Sequence, residues 1–210
     1  MPEGGEVAGC ADALLEVAGG RPLRLGPYLL TSLRAHGKKL VGQTPLGETL
    51  VVAFGLHGYV LLGGSFPREA FPKEPVHEIL AGDEVIAGCF SNRPVAGLEL
   101  TLHQRDPWQE IPDLLRTPIT TLTERVWREN RALGAVLVDQ KVVAGIGKRL
   151  SELALEGTDP KQKASRTPAG TVETILHQAQ DAALICRGNM KEALMSGTCT
   201  PAMWHTRHWV

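Results

Sequence analysis

The sequence predicts an α+β protein, a β-sandwich with a leading helix followed by an all-α half, and three observations carry that reading. The first is a helical period almost at the start. Val7, Ala11, Leu14, Leu15 and Ala18 recur at helical spacing, and Gly19-Gly20 supplies a stop. The second is a change of pattern from Pro22 to about Thr101. Short apolar or alternating runs follow one another there (Tyr28 to Leu33, Lys39 to Val41, Thr49 to Phe54, Tyr59 to Leu62, Glu84 to Ala87, Gly97 to Leu102), separated by Gly, Pro and Asn. The third is a return to helical spacing beyond Thr120, after a linker-like stretch from Arg105 that holds Pro107, Pro112 and Pro118.

The helical half divides into three segments. Thr123 to Asp139 turns Val126, Trp127, Leu133, Val136 and Leu137 inward, with Gly134 as a point of weakness. Lys148 to Glu156 places Leu150, Leu153 and Ala154 on one face and stops at Gly157. Thr167-Pro168 then opens a helix through Val172, Ile175, Leu176, Ala179 and Ala183, with threonine as the cap and proline at the first helical position. The expected boundaries are an N-terminal sandwich domain over 1–113, a helical domain over 118–200 and a short tail over 201–210.

Bulk properties narrow the function classes. No run of 18 apolar residues occurs, and Glu3, Glu6, Asp12 and Glu16 stand where a secretion signal would be basic and apolar, so an intracellular, cytoplasmic protein with no membrane partner is expected. Cys10, Cys89, Cys186 and Cys199 are far apart and form no metal-binding pair, so no metal is expected and the thiols read as reduced. A net charge of −1 argues against a strongly nucleic-acid-binding chain, but the charge is segregated. Val17 to Gly47 holds Arg21, Arg24, Arg34, Lys38 and Lys39 with no acid, whereas Ser65 to Asp113 holds nine acids against four bases. A basic stretch of this kind is usually only a solvated face, so motifs must decide.

The start of the chain carries the sharpest one. With Met1 removed, Pro2 presents a secondary amine that is far more often unprotonated at neutral pH than a lysine, and such a nitrogen can attack the C1′ carbon of a deoxyribose to form an iminium. Glu3 beside it is a candidate general acid, and Glu6, one helical turn on, a candidate to orient the amine. Acids at a helix start also complement its dipole without any chemistry. Further along, Gly145 and Gly147 free the backbone at a helix entry, where unpaired N–H groups and Lys148 would suit a phosphate. Two glycines can equally make a tight turn between helices. The four tryptophans, Trp108, Trp127, Trp204 and Trp209, read as packing anchors before base-stacking platforms.

Together these segments resemble one known family. Met1-Pro2-Glu3-Gly4-Gly5-Glu6-Val7 is similar to the MPEGPEV opening of the formamidopyrimidine-DNA glycosylase and endonuclease VIII family, and three further segments follow in that family's order. His36-Gly37-Lys38-Lys39-Leu40 resembles its glycine-lysine hairpin, which implies that Lys38 contacts phosphate near the lesion and assists catalysis, with Lys39 also on DNA. Leu56-His57-Gly58-Tyr59 resembles the segment that wedges a large side chain into the base stack, with Tyr59 the nearest match. Leu137 to Gly147, LVDQKVVAGIG, is close to the core of its helix-two-turn-helix module, which implies DNA contacts at Gly145, Gly147 and Lys148.

The resemblance implies a two-lobed clamp on damaged double-stranded DNA, acting as a monomer. It implies excision of an oxidised base and strand cleavage by β,δ-elimination through a Schiff base at Pro2. A damaged-DNA binder without catalysis, or a lyase acting only on abasic sites, are the alternatives. Three residues depart from the pattern. Gly5 stands for a proline and is expected to loosen the segment that places the nucleophile, Lys148 stands for the asparagine of GIGN, and Gly134 stands for a lysine near the active site. The family's C-terminal finger, which holds zinc in some members, is expected to be absent, so no cofactor is expected.

Overall fold

The computed structural model of the chain describes residues 2–55, 57–63, 75–91, 98–200 and 203–205. The α+β architecture is as expected. Helix α1 (Gly4–Ala18) leads, and among the described residues nine strands follow: β1 (Leu23–Leu25), β2 (Tyr28–Leu30), β3 (Ser32–His36), β4 (Lys39–Gln43), β5 (Thr49–Ala53), β6 (Gly58–Leu62), β7 (His77–Ala81), β8 (Glu84–Ser91) and β9 (Glu99–His103). They form two antiparallel sheets, ordered β2-β1-β7-β8-β6 and β3-β4-β5-β9. Between them lies a core of Leu40, Leu50, Val52, Phe54, Tyr59, Leu61 and Phe90, closed by Val7, Cys10 and Leu14 of α1. Strands β1 and β7 escape a reading by periodicity because one is only three residues long and the other, His-Glu-Ile-Leu-Ala, opens on two polar residues.

α1 begins three residues before the expected Val7. Two consecutive glycines are poor helix formers, yet here they are helical because nothing larger fits. A methyl on Gly4 would lie 2.7 Å from the Cα of Gly145, and one on Gly5 would lie 2.3 Å from the carbonyl oxygen of Ala183. The loosening expected of Gly5 is not seen, since it is buried where α1 meets the last helix. Gly9 repeats the arrangement one turn later, 2.4 Å from the Arg187 carbonyl oxygen by the same construction. Gly5→Pro, which would restore the motif residue, is expected to lose about 2 kcal/mol or more from overpacking, measurable by urea unfolding; an unchanged midpoint would contradict this packing.

The helical half contains α2 (Ile119–Trp127), α3 (Leu133–Leu137), α4 (Lys148–Ala154) and α5 (Ala169–Ser196). The segment expected as one helix from Thr123 to Asp139 is broken, but at 128–132 instead of at Gly134. The backbone there is drawn into pairing with a distant segment: Leu133 N–H donates to Gln162 O at 2.8 Å, and Ala164 N–H to Arg131 O at 2.9 Å. Trp127, expected inward, is 46% exposed at the end of α2, and its indole N–H donates to Thr167 O. α4 ends at Ala154, two residues short of the expected Glu156, with Gly157 at φ +79° just beyond, and Leu153 faces solvent.

α5 is 28 residues long, about 42 Å at 1.5 Å per residue, and serves both halves. Its first half packs Val172, Ile175, Leu176, Ala179 and Ala183 with Leu122, Val126, Leu137, Ile146 and Leu150. Its second half packs Cys186, Met190, Ala193 and Leu194 into the sandwich core. Trp204, in the stretch expected to be a tail, joins that same core against Phe54, with ring centroids 5.5 Å apart. No helix among the described residues is long and apolar enough to cross a membrane, and among them no three His, Cys, Asp or Glu side chains gather as a metal site would require.

Candidate active site

The start of α1, the β3–β4 hairpin and the loop before α4 meet at one point, and tight backbone contacts hold them there. Gly4 N–H donates to Gly145 O at 3.0 Å. Gly37, at φ +53°, turns the hairpin against Ala144, where a methyl would stand 2.8 Å from the alanine's own. Asp113 fastens the hairpin from the linker: its carboxylate accepts Gly37 N–H at 2.5 Å and Leu115 N–H at 2.8 Å. Gln140 props the loop before α4, accepting Gly145 N–H at 3.0 Å and donating to Ile146 O at 2.6 Å.

Pro2, Glu3, Glu6 and Lys38 come together within this junction. Pro2 is buried, and Glu3 and Glu6 are only 4% and 0% exposed. Glu3 N–H donates to Glu6 Oε2 at 2.6 Å, the contact expected of an acid one turn into the helix. The Glu3 carboxylate crosses to the helical half, where Oε1 accepts Arg149 N–H at 3.0 Å and Oε2 accepts Leu150 N–H at 3.1 Å. Two amides at the start of α4, expected to face outward toward a phosphate, are thus occupied by the protein's own carboxylate. Glu6 in turn forms an ion pair with the Arg149 guanidinium.

Gly147 explains how these groups approach so closely. A methyl at this position would lie 2.4 Å from Glu3 Oε1 and 2.7 Å from Lys38 Nζ, so both side chains reach in over a bare Cα. The crowding atoms are the ends of flexible side chains, and Gly147 is extended, a conformation open to alanine. Gly147→Ala is therefore expected to cost only about 1 kcal/mol of stability while displacing both functional groups. A 1 Å misplacement can cost about a hundredfold in rate, so steady-state turnover within threefold of the parent would contradict this role.

Electrostatics follow from the burial. Desolvation pushes the Glu6 carboxyl up from the usual range, and the Arg149 charge works against that rise. Burial lowers the Lys38 ammonium, opposed by the negative charges of Glu3 and Glu6. A lysine poised this way releases a proton more readily than one in water.

Other expected site residues lie elsewhere. Tyr59 cannot act as a wedge into a base stack: it is 0% exposed in β6 and stacked on Phe90 at 5.3 Å, inside the sandwich core. β6 is buried along its whole length, so no residue of this strand is left for the surface, and Leu56 of the same segment lies outside the described residues. Lys148 opens α4 with its side chain 86% exposed, 3.7 Å from Glu152, and does not enter the cluster. Lys39 sits at the hairpin with Nζ 3.7 Å from the centroid of the Trp108 ring. Gly134 borders a groove of about 440 Å3 with Val138, Lys148, Glu152 and Pro160, a groove that Pro2, Glu3, Glu6 and Lys38 do not border.

Two functional positions were not legible beforehand. Arg149 directly follows the matched motif and Lys148, and nothing in its spacing links it to Glu6, 143 residues away. Asp113 sits among linker residues, and only the fold brings it to Gly37.

The same architecture occurs in solved structures. The MutM (Fpg) protein from Thermus thermophilus superposes with a TM-score of 0.66 at 17% identity, over 93% of this chain and 77% of that one. The fold is that of the formamidopyrimidine-DNA glycosylases. MutM in complex with DNA containing carbocyclic 8-oxo-G gives a TM-score of 0.68 at 13% identity, over 94% of this chain and 84% of that one. The Lactococcus lactis formamidopyrimidine-DNA glycosylase, bound non-covalently to DNA containing an abasic site, gives 0.63 at 13% identity, over 93% and 84%. No protein-family model and no curated protein matches the sequence. The likeness to these glycosylases is one of architecture.

Proposed function

We propose that this chain is a DNA glycosylase and abasic-site lyase that uses the nitrogen of Pro2 as its nucleophile. The observation that carries this reading is the convergence, in one buried junction, of Pro2 with two carboxylates, Lys38 and Arg149. The solved structures of the same fold supply the kind of substrate: several hold DNA with an abasic site or a damaged base.

With Met1 removed, the Pro2 lone pair forms a bond to C1′ of the damaged nucleotide as the bond from C1′ to the base breaks. The base leaves with a proton, for which Glu3 is the nearest acid; one of its two backbone contacts must release for the transfer. Opening of the sugar ring moves the amine proton to the ring oxygen and leaves an iminium. Loss of a C2′ proton then breaks the C3′–O bond, and a second elimination breaks the C5′–O bond. Glu6 holds the backbone amide of Glu3, and thereby the direction of the nucleophile beside it. Lys38 offers a cation to the flanking phosphate. This chemistry draws on the amine and the side chains alone, with a single chain acting on damaged double-stranded DNA.

Sodium borohydride tests the reading by reducing the iminium to a stable bond. Incubation with a duplex holding one abasic site is expected to give a covalent adduct, mapped by peptide mass spectrometry to Pro2. No adduct at saturating protein would leave a damaged-DNA binder. Cleavage at preformed abasic sites with no release of oxidised purines or pyrimidines would restrict the activity to the lyase step.

A further inference from the structure

The hairpin that carries Lys38 also borders a second cavity, of about 180 Å3, which neither Pro2, Glu3, Glu6 nor Arg149 lines. Its walls are Ala53, Phe54, Ala144 and Trp108, with His36 and Lys39 at hand. Two ring nitrogens on these walls are buried without a hydrogen-bond partner, His36 Nε2 and Trp108 Nε1. His36 as a whole is only 7% exposed, and burial keeps its imidazole toward the neutral form. Buried polar groups are nearly always paired, so two orphans on one cavity mark a place built for something else to complete. Lys38 also borders this cavity, and Gln140 beside it is already satisfied by Val138 O, Ile146 O and Gly145 N–H.

The occupant has to be flat and apolar on its faces, with an acceptor at its edge for the indole N–H and a second polar atom for the imidazole. It also lies beside Lys39, whose ammonium rests on the Trp108 ring and is free to turn to an anion next to the ligand. A nucleobase carrying its phosphate has this chemistry. We propose that the cavity receives one unstacked nucleobase of the bound DNA, distinct from the nucleotide attacked at Pro2. The inference rests on the DNA-repair reading above. The base comes from a neighbour on the attacked strand or from the nucleotide opposite, and the experiment distinguishes these.

The probe is a duplex with a tetrahydrofuran abasic analogue, which resists cleavage, and fluorescent 2-aminopurine placed 5′, 3′ or opposite to it. Binding of the full chain is expected to raise or quench emission at one position only, which names the source. Trp108→Leu and His36→Phe are expected to abolish that change and to weaken binding about fivefold or more, the scale of one base–aromatic contact. Trp108→Phe, which keeps the ring and removes only the donor, is expected to keep part of the emission change. Borohydride trapping at saturating protein is expected to be retained in all three variants. A parent chain that binds and traps with no emission change at any position, or a change that survives in both Trp108→Leu and His36→Phe, overturns the cavity proposal and leaves the Pro2 reading standing. An emission change without trapping does the reverse, and absence of binding overturns both.

Discussion

Replacing Pro2 by glycine is expected to lower the borohydride-trapped adduct about a hundredfold, the scale of a small misplacement of a reacting group, while leaving duplex affinity within about threefold. Glycine still offers an amine once Met1 is removed, so the loss would come from geometry and from the kind of nitrogen. The proline ring ties the nitrogen back to its own side chain and Pro2 is buried here, whereas the terminal amine of glycine turns freely about its N–Cα bond. A secondary amine also gives an iminium that carries its charge without a further proton. Affinity is expected to persist because Lys38, Lys39 and Lys148 are untouched. Equal trapping by parent and variant, followed over the same time course, would rule out Pro2 as the nucleophile.

Most of what this prediction needs is visible in the sequence, because the groups concerned are close along the chain. Glu3 and Glu6 are three residues apart, and their contact is a property of one helical turn. The sandwich and the later helices are likewise legible, since periodicity reports which face of each element is buried. Three things were hidden. Gly4 and Gly5 look like a loop and are helical, because their lack of side chains matters only once Gly145 and Ala183 arrive beside them. Tyr59 looks like a surface wedge and is core, because a motif position says nothing about which way the strand turns it. The α4 amides look free and are taken by Glu3, across 146 residues of sequence. Each is a long-range contact that local pattern cannot encode.

Arg149→Met is expected to be the most damaging substitution outside the amine itself. It leaves Glu6, with its side chain 1% exposed, as an uncompensated charge, a loss of about 3 kcal/mol for a broken buried pair. Its signature lies in pH. Arg149 holds down a carboxyl that burial pushes up, so without it the folded-state Glu6 rises further. If ionised Glu6 orients the amine, the acid limb of the trapping rate moves to higher pH. The stability deficit has the opposite course: a raised carboxyl binds its proton more tightly folded than unfolded, so the deficit shrinks as pH falls through the raised value. Arg149→Lys keeps the charge and is expected to restore the acid limb with only part of the rate. A limb that stays in place in Arg149→Met, with the variant folded by circular dichroism, would reduce Arg149 to a packing role.

The last helix has a mechanical corollary. Because α5 feeds Val172 to Ala183 into one core and Cys186 to Leu194 into the other without interruption, it acts as a splint where a clamp would otherwise have its hinge. The two cores are expected to melt as a unit and to hold a fixed spacing, so that under the proposed function the strain of gripping a duplex would fall on the nucleic acid.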